Sequence, residues 1–167
     1  VPNRLVGGFD DEFQGDMVPR VTYMGDPYSC AFSGKALTFF SSRNLASPEL
    51  LEQRTIEERI DSVFYSDEYA AAIVRNTNGE YGSRLEVYKK DGTHVLSKEF
   101  NFEYTHADFD GVLIILYNED SCRIYNMSGT EKFDATFDFP VSRIRKGRFP
   151  GTLVVTGPQQ MRELKLH

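Results

Sequence analysis

Apolar residues in this chain come in short runs set between turn formers. YAAAIVRN at 69–76, GVLIILYN at 111–118 and GTLVVTG at 151–157 are the strongest, and YSCAFSG at 28–34 is a weaker one. Their shortness and their β-branched content predict buried strands rather than helices. A different pattern follows two of them. LEVYKKDGTHVLSKEF alternates apolar and polar positions through Leu85 and Val87, reaches Asp91-Gly92, and resumes at Val95 and Leu96. Asp-Gly supplies the positive φ of a tight hairpin turn, so a hairpin is predicted there.

That hairpin recurs. VYKKDGTHVLSKEF at 87–100 is answered by IYNMSGTEKFDATF at 124–137, a shift of 37 residues that aligns Tyr88 with Tyr125, Gly92 with Gly129 and Phe100 with Phe137. A further strand-like piece precedes each apolar run: VPRVTYM at 18–24, RIDSVFY at 59–65, YTHADF at 104–109 and VSRIRKG at 141–147. The whole unit is strand, turn, buried strand, loop, strand, Gly turn, strand. Its recurrence every ~37–45 residues is the signature of propeller blades.

The predicted fold is therefore all-β and antiparallel, β-propeller-like, with about four blade repeats at 18–58, 59–103, 104–139 and 140–167. Four blades would make either a small ring or an open arc, and an arc would need a second copy to cover its faces and edges. The first repeat departs from the pattern. SPELLEQRTIEER stands where the second hairpin arm belongs, and Ser47, Pro48 and Glu49 carry the cap, first-position proline and first-turn acid of a helix. A short helical turn is expected near 47–53. The last repeat holds about three strands, and NRLVGG at 3–8, within the N-terminal segment 1–17, is a candidate for the closing strand.

Composition narrows the class. At 167 residues, 40% apolar and 26% charged, the chain suits one soluble globular domain. Its 13 Phe and 9 Tyr, against no Trp, suit pleated surfaces. A formal charge of −6 argues against a nucleic-acid partner. The basic stretch SRIRKGR at 142–148 reads as a solvated strand face, with an anion-binding patch as its alternative. Cys30 and Cys122 sit in apolar settings and read as buried inert thiols. No apolar run reaches the ~20 residues of a membrane helix, and no signal peptide is evident. The chain begins at Val1, so a native N-terminal part carrying a targeting or anchoring segment is expected to be missing.

Chemistry is sparse. FDDEFQGD at 9–16 resembles the start of a calcium loop, but counting from Asp10 the twelfth position is Val21, which cannot close the site. Of His94, His106 and His167, only His106 has carboxylates nearby in sequence, at Asp108 and Asp110. These three are the candidate catalytic residues, placed where a blade's first strand approaches the central channel; a hydrogen-bonded structural histidine is the plainer reading. No nucleophile elbow, phosphate loop or paired C-x-x-C occurs, and no cofactor or metal is implied. Phe39, Tyr65, Tyr88, Tyr125, Phe133 and Phe137 recur at strand positions and read as blade packing, whereas Tyr28, Tyr69, Tyr81 and Tyr104 are candidates for a loop platform that binds sugars or peptides.

The segments SPELL, SVFYSDEYAAAIV, RLEVYKKDG, GVLIILYNEDSCRIYNMSGTEKF and TLVVTGPQQMRELKL together resemble the C-terminal half of an uncharacterised bacterial family. The resemblance covers most of 18–167 and brings no catalytic motif. It implies an N-terminal transmembrane anchor, an extracytoplasmic propeller-like domain, and earlier blades that precede this chain. On that basis the expected role is a non-catalytic protein-interaction or scaffold module of the bacterial cell surface, with a protein partner or self-association. A carbohydrate- or peptide-binding propeller and an extracytoplasmic hydrolase or lyase are the alternatives.

Overall fold

The computed structural model describes residues 20–77 and 79–166, and all regular structure among them is β-strand. The N-terminal segment, with the closing-strand and calcium-loop stretches, lies outside the described residues, as does His167. The chain divides into two compact units, one ending at Phe100 and the other beginning at Asn101.

Two antiparallel sheets form the first unit. Strands β1 (Arg20–Tyr23), β2 (Tyr28–Phe32), β3 (Ala36–Ser41) and β4 (Glu49–Thr55) pair in chain order, as do β5 (Ile60–Tyr65), β6 (Tyr69–Arg75), β7 (Ser83–Lys89) and β8 (His94–Phe100). In the second unit β9 (His106–Asp110), β10 (Leu113–Tyr117), β11 (Ser121–Asn126) and β12 (Glu131–Thr136) form one sheet. The other is three-stranded, from β13 (Arg143–Lys146), β14 (Thr152–Thr156) and β15 (Met161–Lys165). The apolar runs are the second strands, β2, β6, β10 and β14, and each pairs on both sides.

The helical turn expected near 47–53 is not there. Glu49–Thr55 is the fourth strand of the first sheet, with Phe39 opposite Glu52. The cap signal at Ser47 is spent on a turn: the Ser47 amide donates to the Asn44 carbonyl and the Ala46 amide to Asn44 Oδ1, both at 3.1 Å. Pairing along β3 satisfies the backbone of this segment more completely than a helix of one or two turns could, because such a helix leaves most of its end groups without partners.

Packing within each unit joins two sheet faces. In the first, Cys30, Phe32, Leu37 and Phe39 meet Ala70, Ala72, Val74 and Tyr88 of the neighbouring sheet. Small residues on β6 accept large ones from β2 and β3, and Ala71 and Ile73 on the other face of β6 are equally buried. In the second unit Ile115, Tyr117, Cys122 and Ile124 pack with Ile144, Leu153 and Val155, and Phe137 and Phe139 of the connecting segment complete the cluster. Close packing of this kind makes the core sensitive to the loss of even one methylene.

Both cysteines are free and buried. Burial pushes the Cys122 thiol up to about 12 and raises the Cys30 thiol further still. Neither thiol is expected to react with an aromatic disulfide reagent in the native protein, and both should titrate once urea unfolds the chain, because only the accessible thiolate attacks. Fast native labelling of either would contradict this burial. Gly92 offers a second test, through its φ of 87° in the β7–β8 turn. A Cβ there would lie 2.5 Å from Glu52 Cβ, whereas at Gly111, φ 59°, it would meet nothing within 4 Å. Gly111→Ala is expected to cost about 1–2 kcal/mol of left-handed strain. Gly92→Ala should cost clearly more, in paired urea-denaturation curves.

Candidate functional site

Three sheets share one irregularity, and it decides which polar side chains meet. A β-bulge interrupts the pairing of the third and fourth strands after Phe39, after Val87 and after Ile124. Directly opposite residues share a sheet face, so skipping one residue changes who faces whom. Beyond the bulge Tyr88 faces His94 rather than Val95, and Tyr125 faces Glu131 rather than Lys132. Without it, a lysine would stand on the side of the sheet that carries Arg123.

The position just before each bulge holds a polar node. In the first sheet it is neutral: Gln53 Nε2 donates to Thr38 Oγ1 at 3.2 Å. In the second it is anionic. The Glu86 carboxylate accepts from Arg84 Nε at 2.7 Å and Ser97 Oγ at 2.8 Å, and lies 3.0 Å from His94 Nε2. In the third it is cationic: Arg123, at the position that the 37-residue repeat aligns with Glu86, reaches Asp134 at 3.2 Å and Glu131 at 3.5 Å. The repeat therefore keeps the place of the node and inverts its charge. Ser97 donates to the carboxylate and not to His94, so Glu86, His94 and Ser97 form a satisfied buried carboxylate rather than a nucleophile relay.

A second regularity went unread in the sequence. Arg84, Arg123 and Arg162 are spaced 39 residues apart, each stands on the third strand of its sheet, and each holds the segment that leads into that sheet. Arg84 Nη1 bonds Glu58 at 2.8 Å. Arg123 Nη1 donates to the Asn101 carbonyl at 3.1 Å, with its guanidinium 5.3 Å from the Phe102 ring centroid. Arg162 donates to Asp138 at 2.8 Å and lies 5.1 Å from the Phe139 ring. Planar guanidinium groups suit this double task of bonding and stacking. Hydrogen bonding from Arg84 holds the Glu58 carboxyl below its usual range, and Glu58 in turn raises Arg84.

His106, Asp108 and Asp110 alternate along β9 and so share one face of this edge strand. Each is engaged differently. The His106 ring stacks on Tyr117 at 4.8 Å, and its Nδ1 lies 3.0 Å from Thr105 Oγ1. Asp108 accepts from the neighbouring Phe109 amide at 2.8 Å. Asp110 accepts from the Lys146 amide on β13. The Tyr117 phenol is pushed above its ordinary range by burial and then by Asp108, and it is hydrogen-bonded to the Ile144 backbone. Asp110 and Tyr117 thus occupy backbone groups of β13, leaving less of that edge open to a foreign strand.

The four tyrosines stand on different elements. Tyr69, at the start of β6, and Tyr81, in the β6–β7 loop, lie at opposite ends of one sheet. Tyr28 begins β2, with Lys90 Nζ 5.3 Å from its ring centroid. Tyr104 precedes β9, in the other unit. Two hollows lie elsewhere. One of about 650 Å³ is lined by Tyr23, Asp26, Pro27, Ser42, Arg43 and Leu45. Another, of about 460 Å³, is lined by Phe139, Pro140, Pro158, Gln159 and Gln160.

Charge is unevenly divided. Residues 140–167 hold six Lys and Arg against one acid, a formal +5, so the overall −6 leaves −11 for residues 1–139. Arg143, Arg145, Lys146 and Arg148 are exposed, and among the described residues none of the four makes an ion pair within 4 Å.

The family of unknown function DUF5711 matches residues 1–166. None of the curated proteins compared with the chain matches it. Solved structures do. Sqt1 of Saccharomyces cerevisiae is 12% identical, with a TM-score of 0.56 over 91% of this chain and 46% of its own. The Pan2 WD40 domain of Neurospora crassa is 10% identical, with 0.52 over 91% and 50%. Hydrazine synthase of Kuenenia stuttgartiensis is 8% identical, with 0.53 over 95% and 49%. The chain spans about half the length of the structures it matches. WD40 repeats build propellers, so the β-propeller-like fold stands, and such a likeness shows the fold alone.

The nodes yield a stability test. Glu86→Ala removes the acceptor for Arg84 and Ser97 and is expected to cost about 2–4 kcal/mol. Glu86→Gln, which keeps an acceptor, should cost less. Glu58 adds a pH dependence of known sign. Its folded pKa is lowered, so its contribution is present above the unfolded value and is lost as pH falls through the folded one. Arg84→Ala should flatten that acid limb, measured as unfolding free energy between neutral and acid pH; an unchanged limb would refute the assignment.

Proposed function

Because the chain belongs to the family of unknown function DUF5711 and shares the propeller fold, we propose that it is a non-catalytic protein-interaction or scaffold module. One observation carries this reading: the side chains best suited to catalysis are spent on holding strands. His106 stacks on Tyr117, Asp108 accepts from the Phe109 amide and Asp110 accepts from the β13 amide of Lys146. Glu86 and His94 belong to a satisfied network. WD40 propellers commonly serve as protein scaffolds, and loops carried on a rigid sheet framework are where such folds bind. The resemblance of the sequence to membrane-anchored bacterial proteins supports a place at the extracytoplasmic cell surface. The half-length match supports a partner, either a second copy or further blades.

A second reading has its own support. The hollow beside Tyr23 combines an exposed aromatic ring with a carboxylate and a guanidinium, Asp26 and Arg43, the set that stacks on and hydrogen-bonds a sugar.

Tagged full-length protein, recovered from cells after surface cross-linking, separates the two. His106→Ala with Asp108→Asn should leave its cross-linked partner profile intact. Tyr23→Ala with Arg43→Ala should also leave it intact for a scaffold that binds elsewhere, and should abolish retention on a glycan array for a sugar binder. Loss of all partners in the His106 variant, with its melting temperature unchanged, would overturn the reading that these side chains serve only to hold strands.

A further inference from the structure

We propose that two adjacent turns of the second unit dock onto an anionic lipid surface. The β9–β10 turn presents Val112 and the β13–β14 turn presents Phe149, and these side chains are 63% and 61% exposed. The turns are neighbours, because Asp110 at the end of β9 accepts a hydrogen bond from the Lys146 amide at the end of β13. Each tip is held in shape. Gly111 takes a φ of 59° that L side chains rarely adopt. The Phe149 carbonyl accepts from both the amide and the hydroxyl of Thr152, at 3.1 and 2.8 Å. The apolar side chains therefore stand outward on ordered backbone.

The surrounding charge selects the surface they meet. Arg145, Lys146 and Arg148 flank the Phe149 tip, are exposed, and make no ion pair within 4 Å among the described residues. They belong to the most strongly basic stretch of a chain of −6. Unpaired cations around projecting apolar residues suit a layer of acidic head groups over acyl chains, where each Lys or Arg strengthens binding about five-fold. A protein partner fits less well. The tips are convex and would need a matching groove, and the β13 backbone edge is already engaged by Asp110 and Tyr117. Single-stranded nucleic acid would need more than one aromatic ring for its bases to stack on.

Sedimentation of the 167-residue chain with vesicles tests this, using phosphatidylglycerol and phosphatidylcholine in about a one-to-three ratio against phosphatidylcholine alone. Binding to the anionic vesicles only is expected, weakening as salt rises from about 0.1 to 1 M because the screening length shortens. Arg145→Ala with Arg148→Ala should weaken it about 25-fold. Val112→Ser with Phe149→Ser should weaken it about ten-fold with an unchanged melting temperature. Sedimentation with neither vesicle, equal sedimentation with both, or tip variants that bind like the parent would each overturn the proposal.

Discussion

The second strand of each sheet is the constraint on which the rest depends. β6, with Ala70 to Val74 all buried, leaves neither face for solvent, and β10 is nearly as apolar. A sheet built on such a strand is stable only when both faces are covered, and within each unit the two sheets meet face to face. Stacking then fixes the sizes that meet: alanines on β6 give room to Phe32 and Phe39. The segments linking one sheet to the next carry backbone polar groups that need partners.

The third-strand arginines answer that need. Each reaches from its strand to the incoming segment, bonding a carboxylate or a carbonyl there. Arg123 and Arg162 also lay their guanidinium groups on a link phenylalanine, shielding Phe102 and Phe139. The polar nodes beside the bulges work alongside, neutral in one sheet, anionic in the next and cationic in the third. Unlike charge patterns at equivalent positions make the repeats chemically distinct. Distinct repeats disfavour one sheet substituting for another in a misregistered stack. The ionisable groups engaged in this way hold strands and links, and the function proposed above rests on surfaces.

The surfaces differ in kind. The hollow at Tyr23 is mixed, with aromatic, acidic and basic groups on one rim, whereas the last sheet is basic and carries unpaired charge on its strand face and turn. Both lie at strand ends or turns, where the framework holds a side chain in place without burying it.

Much of the architecture could be read from the chain alone. The apolar runs became the second strands, and the Asp-Gly and Ser-Gly hairpins fell where Gly92 and Gly129 adopt positive φ, because these signals are local. The helix predicted at 47–53 failed for the same reason. Ser47-Pro48-Glu49 is a sound local cap, and only the neighbouring edge of β3 could outbid it. Tertiary structure alone decided the rest. Arg84, Arg123 and Arg162 recur visibly in the sequence, yet their partners Glu58, Asn101 and Asp138 lie more than twenty residues upstream and share no residue type. The bulges, one residue wide, chose Glu131 over Lys132 and His94 over Val95. Side-chain periodicity in a strand is two, so one inserted residue sends every later side chain to the other face, and which face that is depends on a partner strand that the local sequence does not specify.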